Sequence, residues 1–150
     1  MNSYNIYLIT LIFPFFILSQ SSLNMEQIGN LEYNQDLNDV WGYVAPNGEE
    51  HALVGCANGF SYVNISDPSN PYEVFFVPGS NSIWRDLKTW DHYAYITTEA
   101  EDGLLIVDLN DLSGQSYVYT TDFFNTSHNI YIDEFGYAYI FGADDEYVVS

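Results

Sequence analysis

The amino-acid sequence predicts an all-β fold assembled from a repeated unit of four short strands. Aromatic residues make up 18% of the chain, with 14 Tyr and 10 Phe, and such residues favour strands. Similar strand-like segments recur every ~40–45 residues, the period of β-propeller blades. Turn-forming residues separate the segments, and no helical apolar periodicity is present. We therefore expect a partial β-propeller of four-stranded antiparallel blades, with about two and a half blades present.

The first 22 residues are predicted to be a signal peptide. Ile6–Leu18 is an apolar run of 13 residues, followed by the short polar segment Ser19–Ser22. This length suits the apolar centre of an export signal and is short for a membrane span. We expect cleavage near Ser19–Ser22, a secreted or cell-surface protein, and no membrane insertion of the mature chain. The alternative is an uncleaved N-terminal anchor.

Residues 23–37 are polar and irregular, and we interpret them as a linker into an incomplete propeller at 38–150. The blades are expected at about 38–78, 82–120 and 127–150. The innermost strand of each blade is marked by Asn38–Trp41, Arg85–Lys88 and His128–Tyr131. The second strands contain His51–Gly55, Tyr93–Thr97 and Tyr137–Phe141. The third strands contain Gly59–Asn64 and Gly103–Asp108, and the fourth contain Tyr72–Val77 and Gln115–Thr120.

The number of blades is too small for a closed propeller. Each blade buries its faces against its neighbours, and closed propellers have roughly four to eight blades. The third blade is expected to contain only two strands and a turn. The sequence is therefore interpreted as the N-terminal part of a longer protein or as a truncated gene model. We expect the chain alone to aggregate through exposed faces and edges.

The charge balance excludes some partners. Two Lys+Arg against 21 Asp+Glu give a formal net charge of −19 and a pI near 4.1. Such a surface repels phosphate backbones and anionic lipids, so nucleic acid is not an expected partner. It attracts cations, although the simplest interpretation is that the charge keeps the protein soluble. The single cysteine, Cys56, lies in an apolar run and is predicted to be a buried small side chain.

One strand carries a family resemblance. Leu104–Asp108 reads LLIVD and resembles the LVIVD repeat of bacterial and archaeal cell-surface propellers, matching four of its five letters. A wider set of segments is similar to the choice-of-anchor B family of secreted proteins: Asn38–Tyr43, Asn64–Pro71, Ser82–Lys88 and Ser127–Ile130. The resemblance covers about Asn38–Gly142. It implies an extracellular propeller followed by varied surface-attachment modules, and it implies no particular activity.

The beginnings of the innermost strands are the candidate site. These strands line the channel of a propeller, so equivalent residues should form two polar rings at one rim: Asn38, Arg85 and His128, and Asp39, Asp86 and Asn129. Their carboxylate, amide and imidazole groups could hold a polar ligand or a hard cation, with Ca²⁺ or another divalent ion as the candidate cofactor. The alternative is structural: these groups hydrogen-bond one another, with Arg85 paired to Asp86 or Asp39.

No catalytic motif accompanies these rings. The sequence contains no phosphate-binding glycine loop, no G-x-S-x-G elbow and no HExxH pair. We therefore predict a binding or interaction module whose partners are extracellular proteins or glycans. The alternative function is a hydrolase or lyase acting on an extracellular polysaccharide or ester, with Asp39, Asp86 and His128 near its site. A structural role in a surface layer is a third hypothesis.

Overall fold

The computed structural model describes residues 25–144 and the backbone of 148–149. These residues form eleven β-strands in three antiparallel sheets and contain no helix. The first sheet contains β1 (Leu37–Val44), β2 (Glu50–Cys56), β3 (Gly59–Asn64) and β4 (Tyr72–Pro78). The second contains β5 (Arg85–Trp90), β6 (Tyr93–Thr98), β7 (Leu104–Asp108) and β8 (Tyr117–Thr120). The third contains β9 (Asn129–Ile132), β10 (Ala138–Phe141) and β11 (Val148–Val149).

Each sheet is a meander in which successive strands pair with one another. The predicted all-β fold, a partial propeller of four-stranded antiparallel blades, is confirmed. The third sheet has one strand more than expected, because the two-residue β11 pairs with Ala138 and Tyr139 of β10. Residues 25–36 precede the first strand without regular structure, and the predicted signal peptide lies outside the described residues. Within the described residues, no helix is long and apolar enough to cross a membrane.

The sheets pack face to face through two apolar clusters. Successive residues of a strand point to opposite faces, and in β7 this alternation divides the side chains between the two clusters. Leu105 and Val107 pack against the first sheet, and Leu104 and Ile106 pack towards the third. A strand buried on both faces is apolar at consecutive positions rather than at alternate ones. This burial explains the continuous apolar run that distinguishes Leu104–Asp108.

The innermost strands β1, β5 and β9 lie next to one another in that order. Each is the edge strand of its sheet, so part of its backbone has no partner within that sheet. β1 also departs from regular pairing between Leu37 and Val40, where Asn38 and Asp39 together lie opposite Gly55. The candidate site therefore lies where unpaired backbone of one blade faces the side chains of the previous blade.

Candidate functional site

Two equivalent carboxylates link consecutive blades. The Oδ2 atom of Asp39 accepts a hydrogen bond of 3.2 Å from the backbone N–H of Leu87. The Oδ2 atom of Asp86 accepts the corresponding bond, of 2.8 Å, from the backbone N–H of Ile130. Leu87 and Ile130 occupy equivalent positions in β5 and β9, directly after Asp86 and Asn129. Each carboxylate therefore satisfies an edge N–H group of the next blade, which a buried edge strand would otherwise leave unpaired.

Asp86 is the more strongly held of the two carboxylates. It is 7% exposed, its Oδ1 atom lies 2.5 Å from Lys88 Nζ, and its Oδ2 atom also accepts a hydrogen bond of 3.1 Å from Asn129 Nδ2. Burial alone would raise the pKa of Asp86. The bonds from Lys88, Ile130 and Asn129 outweigh it and hold the pKa below its usual range. Asp86 is therefore ionised at neutral pH.

Asp39 has the opposite electrostatic environment. Burial raises the pKa of this carboxyl group, and the adjacent Asp86 carboxyl group, within hydrogen-bonding reach, raises it further. The backbone N–H groups of Val40 and Leu87 oppose the shift but do not cancel it. The two carboxyl groups thus form a neighbouring pair in which a shared proton resides preferentially on Asp39.

Arg85 lies in the interface between the first two blades instead of joining a ring. The side chain is 1% exposed, and its Nε atom donates to the carbonyl oxygen of Cys56 at 2.9 Å. Its Nη2 atom donates to the carbonyl oxygen of Ser80 at 2.5 Å, and burial lowers its pKa. The sequence suggested that Arg85 pairs with Asp86 or Asp39, but Asp86 pairs with Lys88 instead. Asp86 and Lys88 are alternate residues of β5, so their side chains lie on the same face of the strand.

Asn38 and His128 also make separate contacts. Asn38 donates from Nδ2 to the carbonyl oxygen of Ser82 at 3.5 Å, a long bond that reaches the segment before β5. His128 stacks on Trp84, with ring centroids 4.3 Å apart and planes 8° from parallel. Its Nδ1 atom lies 2.7 Å from Glu99 Oε1. Of the six predicted residues, the structure brings Asp39, Asp86 and Asn129 together, whereas Asn38, Arg85 and His128 contact other groups.

Two residues next to the carboxyl pair were not predicted. Lys88 lies beside Asp86, and its Nζ atom is 4.5 Å from the centroid of the Trp41 ring. Trp41 in turn donates from Nε1 to Thr89 Oγ1 at 3.1 Å, which joins β1 to β5. The two-residue spacing of Asp86 and Lys88 on one strand was the available signal, because it places both side chains on the same face.

Two of the predicted site residues line a pocket. Within residues 25–144, no three His, Cys, Asp or Glu side chains lie close enough together to hold a metal. Asn38 and Asp39 instead line a pocket of about 330 Å³ whose walls are mainly apolar, including Tyr33, Leu37 and Val54. A few polar groups in an apolar pocket are typical of small-ligand sites.

Comparison with protein families assigns the repeat. The LVIVD repeat model matches residues 48–78, which contain β2–β4, and residues 84–125, which contain β5–β8. Comparison with curated proteins and with solved structures finds no match. The matched residues supply three strands of the first sheet and all four strands of the second, so the chain contains two segments that match the LVIVD repeat.

Proposed function

We propose that this chain is part of an extracellular or cell-surface β-propeller that acts as a binding and interaction module. The LVIVD repeats and their face-to-face sheets support the scaffold. The apolar leader Ile6–Leu18, the formal charge of −19 and the resemblance to choice-of-anchor B proteins support the extracellular placement. Its partners would be extracellular proteins or glycans rather than nucleic acids.

The observation that carries this proposal is the engagement of the polar residues at the start of the inner strands. Asp39 and Asp86 hold backbone N–H groups of the following blade, and Arg85 holds two carbonyl groups between blades. Side chains used in this way make a rigid repeat scaffold. A rigid scaffold favours binding through its surface and pockets, because little conformational freedom is lost on association.

Secretion and binding can be tested on the same protein. The full chain, tagged at its C-terminus, should accumulate in the medium of an exporting host with a new N-terminus near Ser19–Ser22. The secreted product should then bind at least one member of a glycan array or a panel of extracellular proteins. An unrelated acidic protein of matched net charge is the control. Retention of the uncleaved protein inside the cell would contradict the proposal, and so would binding no stronger than that of the control.

The carboxyl pair supports a second candidate function, a hydrolase acting on an extracellular polysaccharide or ester. Two neighbouring carboxyl groups with pKa values displaced in opposite directions are a common basis for acid–base catalysis. In that case Asp39 would donate the proton and Asp86 would remain ionised. Asp39→Asn should abolish turnover of a polysaccharide or aryl-ester substrate while the protein stays folded. Unchanged turnover in this variant would exclude the pair as the catalytic centre.

A further inference from the structure

A second pocket lies at the rim opposite the carboxyl pair. It is formed between the β1–β2 loop of the first blade and the β7–β8 connection of the second, with a volume of about 230 Å³. His51 and Tyr62 line it, Asn47 and Glu49 come from the β1–β2 loop, and Leu112 comes from the second blade. These segments are far apart in the sequence and meet only because the two blades pack together.

The imidazole of His51 has a defined tautomer. The backbone N–H of Ser66 donates to Asn64 Oδ1 at 3.0 Å, which orients the Asn64 amide so that its Nδ2 faces His51 Nε2 at 3.4 Å. His51 Nε2 is therefore an acceptor, and the proton of the neutral ring is on Nδ1. Burial lowers the pKa of His51, although the nearby backbone carbonyl of Glu49 opposes the shift. That carbonyl does not reach Nδ1 with hydrogen-bonding geometry, so the donor is buried without a partner.

Tyr62 presents a second polar atom of the same kind. Its ring is fully buried and stacks on His51, with centroids 4.4 Å apart and planes 11° from parallel. Burial raises the pKa of Tyr62, so its hydroxyl remains protonated. Among the described residues, no group hydrogen-bonds this hydroxyl. Buried polar atoms are rarely left without a hydrogen-bond partner. Two such atoms, on stacked side chains that line one pocket, indicate a polar ligand.

We propose that this pocket binds a neutral sugar residue of a glycan, an inference that rests on the proposed binding function. A sugar hydroxyl both accepts and donates, so neighbouring hydroxyls can accept from His51 Nδ1 and bond with the Tyr62 hydroxyl. Leu112 supplies an apolar wall for the carbon face of the ring. Anionic ligands are opposed by Glu49 and by the net charge of −19. Cationic ligands are also disfavoured, because the imidazole is neutral and the phenol is protonated. The Glu49 carboxylate already accepts a hydrogen bond from Asn47 Nδ2 at 2.8 Å.

The test is a titration of the full chain with neutral monosaccharides (glucose, galactose, mannose and N-acetylglucosamine) and with neutral oligosaccharides that end in them. Binding would be followed by calorimetry and by the imidazole nitrogen resonances of His51. We expect at least one of these sugars to bind and to shift the Nδ1 resonance. Tighter binding of the oligosaccharide identifies a glycan as the ligand, whereas equal binding identifies the free sugar.

Tyr62→Phe is the decisive variant. It removes only the hydroxyl and keeps the stacked ring, so we expect affinity to fall about tenfold with an unchanged or raised melting temperature. Thr97→Val is the matched control, since Thr97 Oγ1 is also buried without a partner but does not line this pocket. It should leave affinity unchanged. If Tyr62→Phe does not fold, Leu112→Trp provides a second test, because it fills the pocket from an exposed position and should abolish sugar binding.

The outcomes separate this inference from the proposed function. Sugar binding that survives both Tyr62→Phe and Leu112→Trp would overturn the pocket and leave the binding module intact. Binding of an extracellular protein with no response to any neutral sugar would also overturn the inference alone. Failure to bind any glycan or protein would overturn both. A clear loss of melting temperature in Tyr62→Phe would assign the hydroxyl a structural role and contradict its assignment to a ligand.

Discussion

Asp39, Asp86 and Asn129 occupy equivalent positions in the three innermost strands, but their side chains differ in charge and in the hydrogen bonds that they make. Asp39 and Asp86 each accept a backbone N–H of the next blade, whereas Asn129 donates from its amide to Asp86. Asp86 has both Lys88 and Asn129 as compensating donors. Asp39 has the Asp86 carboxyl group as its neighbour instead. A neutral amide is therefore better suited than a carboxylate to the environment of Asp39.

We expect Asp86→Asn to destabilise the protein by about 1–3 kcal/mol at neutral pH. The variant loses the pairing with Lys88, whose charge is then left partly buried. Because the pKa of Asp86 is lowered by folding, its stabilising contribution is present above the ordinary value of 3.8 and is lost as pH falls through the folded value. Urea unfolding between neutral and acid pH should show the variant and the parent converging at low pH. A deficit that persisted in acid would refute the electrostatic explanation.

The matched variant Asp39→Asn should be neutral or stabilising at pH 7, within about 1 kcal/mol of the parent. The new amide can accept from Leu87 and donate to Asp86, as Asn129 already does from the other side. Folding raises the pKa of Asp39, so the parent loses stability as pH rises from the ordinary value of 3.8 through the folded value. The variant's relative stability should increase over that interval. Unfolding curves that placed it several kcal/mol below the parent would contradict this account.

At the scale of elements, the sequence predicted the strands well because strand signals are local. Apolar runs, turn residues and the repeat period located the two four-stranded sheets and the equivalence of Asp39, Asp86 and Asn129. The partner of Arg85 depends on which face of β5 it occupies, and the relevant carbonyls belong to other segments. The His51–Tyr62 pocket needs two loops from different blades, so no single stretch of sequence indicates it.

The turn before β7 shows how closely the strands of a blade approach. Gly103 has a φ of +69°, and a Cβ atom there would lie 2.1 Å from the carbonyl oxygen of Thr120. Because that oxygen belongs to the backbone, it cannot move aside cheaply. We expect Gly103→Ala to cost about 2–4 kcal/mol from backbone strain and this clash.

Gly42 in β1 is the control for this variant. It has no positive φ, and a Cβ atom at this position meets nothing within 4 Å. Gly42→Ala should therefore leave stability unchanged or raise it by up to about 1 kcal/mol. Thermal and urea unfolding of both variants would check the pair. Equal losses in the two would show that the positive φ and the close contact at Gly103 do not determine the effect.

At the scale of the molecule, the charge distribution is more one-sided than the composition indicates. The chain has two Lys+Arg residues, and both face inward: Arg85 is 1% exposed, and the Lys88 side chain is 19% exposed beside Asp86. The outer surface of the described residues therefore carries carboxylates with almost no compensating cations. Repulsion among these carboxylates is relieved when the chain expands, so it lowers the free energy of unfolding.

We expect the melting temperature to rise by several degrees as NaCl increases from about 20 to 500 mM, because shorter screening lengths weaken repulsion more than they weaken the buried Asp86–Lys88 pair. Ca²⁺ and Mg²⁺ should stabilise further than NaCl at matched ionic strength, and by similar amounts to each other, if they act by general screening. A larger shift with Ca²⁺ would identify a specific site. Asp86→Asn is the control, because its salt response should match the parent if the effect arises from the outer surface. A melting temperature that fell with salt would show that inward ion pairs, and not surface repulsion, dominate the electrostatics of folding.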